Sequence, residues 1–200
     1  MTTKQFVGIL LAGGKSRRYG SPKAFAKMDR KQFYEISYAN LRTVCDDIVI
    51  VTREEYLSRF PSNLTVITDE APYVGFGPLA GIYAVMNYFE AANYVVLPCD
   101  MPLLRGEILK RLIELHTQDV TVVTTDGYVQ PLVSVWNVNV KREIERSLQE
   151  KRLKMTDVLE CVNTMYVASE KLTDTPYVFM NVNTPREDKE MRKWQKSQMR

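Results

Sequence analysis

The chain has 200 residues, 45% apolar and 26% charged, the composition of an ordinary folded domain rather than a disordered segment. Lys+Arg 27 against Asp+Glu 24 gives a formal charge of +3, too small for nucleic acid to be the leading partner. One histidine (His116) would have to serve any Ser-His-Asp or Cys-His enzyme, and three scattered cysteines (Cys45, Cys99, Cys161) argue against a structural zinc or a disulfide framework.

In chain order, residues 6–11 (FVGILL) form a short continuous apolar run, as in a buried strand. A Gly-, Ser- and Arg-rich loop follows over residues 12–23. Residues 33–44 carry apolar side chains at helical spacing, and residues 47–52 (DIVIVT) and 64–67 (LTVI) are strand-like. Pro78 opens a helix that runs to about residue 89, because proline suits a first turn whose N–H is not needed. Residues 94–97 (YVVL) form a fourth strand ending at Pro98-Cys99-Asp100, residues 106–116 read as helix, and residues 120–124 as strand. A strand over 130–136, a helix over 140–150, a strand over 165–168 and a terminal helix from Pro185 complete the pattern. Alternating strands and helices predict an α/β, Rossmann-like three-layer sandwich: one domain over residues 1–200 with a mostly parallel central sheet. Residues 186–200, six basic and three acidic, are expected to be a solvated basic helix face and tail of that domain. In such sheets ligands bind beyond the carboxyl ends of the strands, so the loops after Leu11, Ile67 and Leu97 should share one crevice.

The first of those loops reads Leu11-Ala12-Gly13-Gly14-Lys15-Ser16-Arg17-Arg18-Tyr19-Gly20-Ser21-Pro22-Lys23. Adjacent glycines allow a tight turn with a close backbone approach, and its N–H groups form an anion-binding concavity. Four cations follow within ten residues, which suits a polyphosphate, although a solvated basic loop has the same composition. Gly14-Lys15-Ser16 imitates the end of a Walker A loop, but Ile9 stands where that loop needs glycine. Further along, Asp69 follows the third strand, where a turn residue is also common. Gly75-Phe76-Gly77-Pro78-Leu79-Ala80 matches the G-x-G-x-x-A dinucleotide fingerprint, with Asp100 twenty residues on. Six residues separate Thr68 from Gly75, so these glycines miss the strand-to-helix turn the fingerprint needs. Asp100, flanked by Pro98 and Pro102 after an apolar strand, suits a divalent cation that takes one or two carboxylates plus phosphate oxygens and waters. A helix N-cap is its structural alternative. In Asn181-Val182-Asn183-Thr184-Pro185, asparagines at i and i+2 of an extended segment share a side, while Thr184 can cap a helix opened by Pro185.

Taken together, LAGG-x-S-x-R-x-G-x-x-K, Asp69, Gly77-Pro78-Leu79-Ala80-Gly81, Asp100-Met101-Pro102 and the terminal N-V-N-T-P resemble the molybdenum cofactor guanylyltransferases, within the nucleotidyltransferase superfamily. The resemblance implies transfer of GMP from GTP to the terminal phosphate of molybdenum-bearing molybdopterin, with release of pyrophosphate. It implies nucleotide contacts at Leu11, Ala12, Gly13, Gly14, Lys23, Asp69 and Asp100. Lys23, Arg18 and Asp100 would be catalytic, Asp100 would hold Mg²⁺, and Asn181 and Asn183 would meet the acceptor. Gly13 gives LAGG, whereas the CTP-using sister enzymes tend to have LAAG. Gln130 replaces a histidine of the family pattern, and Val51-Thr52-Arg53 replaces a segment that often carries asparagine. Other molybdenum cofactor biosynthesis proteins and acceptor molybdoenzymes are the implied partners. Free thiols and the absence of an apolar stretch of about 20 residues point to a cytoplasmic chain without membrane or nucleic-acid partners. Other readings are a nucleotidyltransferase for CTP or a sugar phosphate, an NAD-binding dehydrogenase, and a non-enzymatic nucleotide-binding module.

Overall fold

The computed structural model describes residues 4–198. Strand β1 (Lys4–Leu11) is buried on both faces, with Val7 and Ile9 in one core layer and Leu10 in the other. Continuous apolar runs of this kind belong to sheets covered on both sides. A small antiparallel ribbon follows, β2 (Lys27–Met28) with β3 (Lys31–Gln32). The remaining strands are β4 (Asp47–Val51), β5 (Thr65–Ile67), β6 (Ala91–Pro98), β7 (Val120–Thr125), β8 (Tyr128–Asn137) and β9 (Thr164–Ala168). With β1 they make a seven-stranded sheet in the order β5-β4-β1-β6-β8-β7-β9. Strand β8 alone runs antiparallel to its neighbours β6 and β7; every other pairing in the sheet is parallel.

The helices are α1 (Phe33–Leu41), α2 (Pro78–Tyr88), α3 (Gly106–Glu114), α4 (Lys141–Gln149), α5 (Met155–Cys161) and α6 (Pro185–Gln198). Helices α1, α3 and α6 pack Phe33, Leu41, Leu109 and Met191 onto the sheet face carrying Leu10, Ile50 and Leu97. Helices α2, α4 and α5 cover the other face, where Leu79, Ile82, Ile144 and Val158 meet Ile9, Val49 and Val96. The three-layer α/β sandwich with a mostly parallel sheet is therefore the observed architecture.

Several expectations need correction. The helices expected over 33–44 and 106–116 stop at Leu41 and Glu114. Helix α5 was not expected; its apolar positions Met155, Val158 and Leu159 follow helical spacing, but over only seven residues. The direction of β8 follows from the turn Asp126-Gly127, whose φ values of 50° and 79° are those of a two-residue type I′ hairpin. Helix α6 is more than a solvated face. Its Met191 is fully buried and its Trp194 stacks on Tyr177 at 4.8 Å, whereas residues 199–200 of the expected tail lie outside the described residues. His116 lies just beyond α3 rather than within the helix, and burial lowers its pKa below the ordinary 6.5. The imidazole lies between Thr121 Oγ1 (2.8 Å) and Asn93 Oδ1 (3.2 Å).

Candidate active site

Parallel strands β5, β4, β1 and β6 end on the same side of the sheet, and their loops are stitched together just beyond the ladder. Ala12 N–H donates to Val51 C=O (2.8 Å), Thr52 N–H to Ile67 C=O (2.9 Å) and Cys99 N–H to Leu11 C=O (3.1 Å). These bonds bring the glycine loop, Thr52-Arg53, Asp69 and Asp100 around one cleft of about 600 Å³.

The floor of the cleft comes from close approach of α2. A Cβ built on Gly81 would lie 2.9 Å from Val51 Cγ1 and 3.2 Å from Leu11 Cδ2, so only glycine lets the helix sit this near β1 and β4. Gly77 turns the chain into α2 with φ 85° and ψ −159°, a region open essentially to glycine, and Pro78 starts the helix. The fingerprint-like glycines thus follow a loop that begins after Ile67, and no strand-to-helix dinucleotide turn forms. Asp69 organises that loop by accepting Gly75 N–H on Oδ2 (2.9 Å). Its carboxyl is raised above the ordinary 3.8, chiefly by burial, against the opposing pull of the Gly75 amide and Arg53.

The glycine loop lines the opposite wall. Ser16, itself at φ 48°, donates its hydroxyl to Gly14 C=O (3.2 Å) and accepts Lys23 N–H (3.1 Å). Among the described residues, the backbone N–H groups of residues 13–18 find no protein acceptor. Consecutive unpaired amides of this kind make an anion cradle. Lys15, Arg17 and Arg18 stand exposed at its rim and line the cleft.

Lys23 is different: it is only 8% exposed. Its Nζ donates to Asp100 Oδ2 and to Asn183 Oδ1, each at 2.6 Å. Asn183 reaches this point because Val182 N–H donates to Asp100 C=O at 2.9 Å, seating the C-terminal segment on the end of β6. Asp100 Oδ1 is buried and, among the described residues, has no hydrogen-bond partner. A carboxylate oxygen left without a partner is a hard donor that fits a divalent cation, and the Asn183 amide oxygen belongs to the same cluster through Lys23 Nζ. Among the described residues no three His, Cys, Asp or Glu side chains cluster as a metal cage. Such a cation would therefore take the rest of its ligands from phosphate oxygens and water.

Leu11, Ala12, Gly13, Gly14, Arg18, Lys23, Asp69, Asp100 and Asn183 thus line one cleft, whereas Asn181 and Gln130 do not. Thr52 and Arg53, from the segment that departs from the family pattern, also line it, and Ser16 and Leu132 join them without having been singled out in the sequence. The signal for Ser16 was its place inside the glycine motif; Leu132 follows Gln130-Pro131 with no such mark. Cys99, also in the cleft wall, is buried, which pushes its thiol up to about 12 and disfavours the thiolate.

Residues 8–164 match the model of the MobA-like NTP transferase domain. The chain belongs to this family. A probable molybdenum cofactor guanylyltransferase of Geobacillus sp. (strain WCH70) is 41% identical over 187 residues, 92% of this chain and 96% of that one. One from Bacillus subtilis (strain 168) is 38% identical over 183 residues, covering 89% of this chain and 90% of the relative. The crystal structure of molybdopterin-guanine dinucleotide biosynthesis protein A from Archaeoglobus fulgidus superposes with a TM-score of 0.81 at 28% identity, over 96% of this chain and 99% of that one. Like other MobA-like chains, this one is a nucleotidyltransferase, a class that typically works with a divalent metal. Asn183 lies beyond the matched 8–164, so the cleft draws one residue from outside the family domain. Among the described residues, no helix is long and apolar enough to cross a membrane.

Proposed function

We propose that the chain transfers GMP from GTP to the terminal phosphate of molybdenum-bearing molybdopterin, forming the guanine dinucleotide and pyrophosphate. The observation that carries this reading is the contact of Lys23 with Asp100 and Asn183, set beside the amide cradle of residues 13–18. The names of the relatives at 36–41% identity support the base and the acceptor.

The reaction brings two anions together. A phosphate monoester is already ionised at neutral pH, so the acceptor needs no strong general base. That agrees with a cleft to which the single histidine contributes nothing. What remains is positioning and charge stabilisation. Leu11, Ala12, Gly13 and Asp69 hold the base and ribose, and the amides from Gly13 onward cradle the phosphates. The Lys23 ammonium neutralises the triphosphate, and Arg18 at the rim follows the charge that leaves with pyrophosphate. Asp100, with the Asn183 amide in the same cluster, would hold Mg²⁺, which would further neutralise the phosphoryl oxygens. By the family pattern Asn183 is assigned to the acceptor as well, together with Asn181, which lies outside the nucleotide cleft. Proteins that deliver the pterin and receive the product complete the scheme.

Thermal unfolding with Mg²⁺ and GTP, CTP, ATP, UTP or NAD tests the nucleotide. A ligand at about 100 times its Kd adds about 2.7 kcal/mol to stability. GTP should shift the midpoint and the other nucleotides should not. A larger shift with CTP would replace the guanylyl reading by a cytidylyl one, and a shift with NAD alone would overturn nucleotidyl transfer.

A further inference from the structure

The first turn of α6 closes a reciprocal capping box. Thr184 Oγ1 accepts Glu187 N–H (3.2 Å), and Glu187 Oε2 accepts Thr184 N–H (2.8 Å). The same Oε2 also accepts Asn183 N–H, at 2.6 Å, which helix capping alone does not require. Asn183 is the residue whose Oδ1 holds Lys23 Nζ. Its backbone is therefore fixed from both sides, by Glu187 at its own N–H and by the Val182-to-Asp100 bond just before it. The next residue extends the brace. Asp188 accepts the Tyr19 hydroxyl (3.2 Å) and the Arg192 guanidinium (2.8 Å), and Arg192 donates onward to Lys27 C=O. Helix α6 thus grips the lysine-bearing loop at Tyr19 and Lys27, on either side of Lys23.

An ammonium on a four-carbon stem has little geometry of its own and takes its position from its acceptors. An acceptor on a side chain is useful only while its backbone is held within about 0.5 Å of the working position. We infer that Glu187 is a positioning residue for Lys23, acting through Asn183. This rests on the reading of Lys23 as the lysine that meets the triphosphate, and the test below separates the two.

Lysine acylation of the full chain, read site by site by mass spectrometry, reports how firmly Lys23 is held and needs no substrate. Variants are compared at a temperature where circular dichroism shows each one folded. Glu187→Ala should raise Lys23 labelling about fivefold, the effect of losing one ordinary hydrogen bond. Asn183→Ala should raise it at least as much. Glu187→Gln keeps a carbonyl oxygen for both amides and should stay within about twofold of the native chain. Thr184→Ala removes the other half of the capping box while leaving Glu187 on Asn183, and should also stay within about twofold. Unchanged labelling in Glu187→Ala or in Asn183→Ala would overturn the inference. So would an equal rise in Thr184→Ala, which would mean fraying of the helix end. In turnover, Glu187→Ala should lower kcat roughly 10- to 100-fold with little change in KM for GTP, and Glu187→Gln should restore it. A native chain inactive on GTP would defeat the guanylyl reading and leave the labelling result to decide the role of Glu187.

Discussion

Burial raises the Asp69 carboxyl, outweighing the Gly75 amide and the Arg53 charge that favour the anion. The stability consequence has a definite sign. Between the ordinary 3.8 and the raised value, the native state holds a proton that the unfolded chain has lost, so stability falls as pH rises through that window. At pH 7 the native state carries the whole of that cost. Asp69→Asn can still accept Gly75 N–H while shedding the buried charge. It should therefore unfold at a higher urea concentration than the native chain at pH 7 and lose that advantage below the carboxyl's ordinary range. A lower midpoint at pH 7 would contradict this reading. The same variant should turn over GTP more slowly, since a group kept against stability is a mark of function.

Among elements, the end of α3 is held to the sheet by His116, between Thr121 on β7 and Asn93 on β6. Burial holds its pKa below 6.5, only partly offset by Asp119. The unfolded chain therefore binds the proton first on acidification, and stability falls as pH drops from 6.5 toward the depressed value. His116→Gln removes this contribution, so its urea midpoint should change less than that of the native chain between about pH 7 and pH 5. Equal slopes would show that His116 does not titrate against the fold. The elements also show where sequence patterns carry information. The buried runs over 6–11 and 94–97 are continuous and end in marked turns, and they became β1 and β6. The Asp126-Gly127 pair was an equally strong hairpin mark, and weighing it would have given β8 its antiparallel direction. Helix α5 was harder to see because seven residues barely complete two turns of periodicity. Glu187 sits at the capping-box spacing from Thr184, so the cap was legible. Its third acceptor contact, to Asn183, depends on how the chain enters the helix from Asp100 and has no sequence signature.

Across the whole molecule, the cleft exists because β5, β4, β1 and β6 point the same way and deliver their loops to one edge. Sequence spacing indicated that Asp69, Asp100 and the glycine loop would converge, since each follows a predicted strand. It could not indicate that Lys23, 77 positions before Asp100, and Asn183, 160 positions after Lys23, would meet in one contact. That meeting needs the C-terminal segment to cross the end of β6 after the sheet is complete. The pair of Lys23 and Asp100 then neutralises two largely buried charges, while the orphaned Asp100 oxygen remains the feature that stability alone does not require. Release of pyrophosphate from GTP with Mg²⁺ and molybdopterin, compared between the native chain and Asp100→Asn with both shown to be folded, addresses that centre directly. The native chain should turn over, and the variant should be slower by roughly 10²–10³. Near-native turnover in Asp100→Asn would mean that the chemistry does not run through the Lys23, Asp100 and Asn183 cluster.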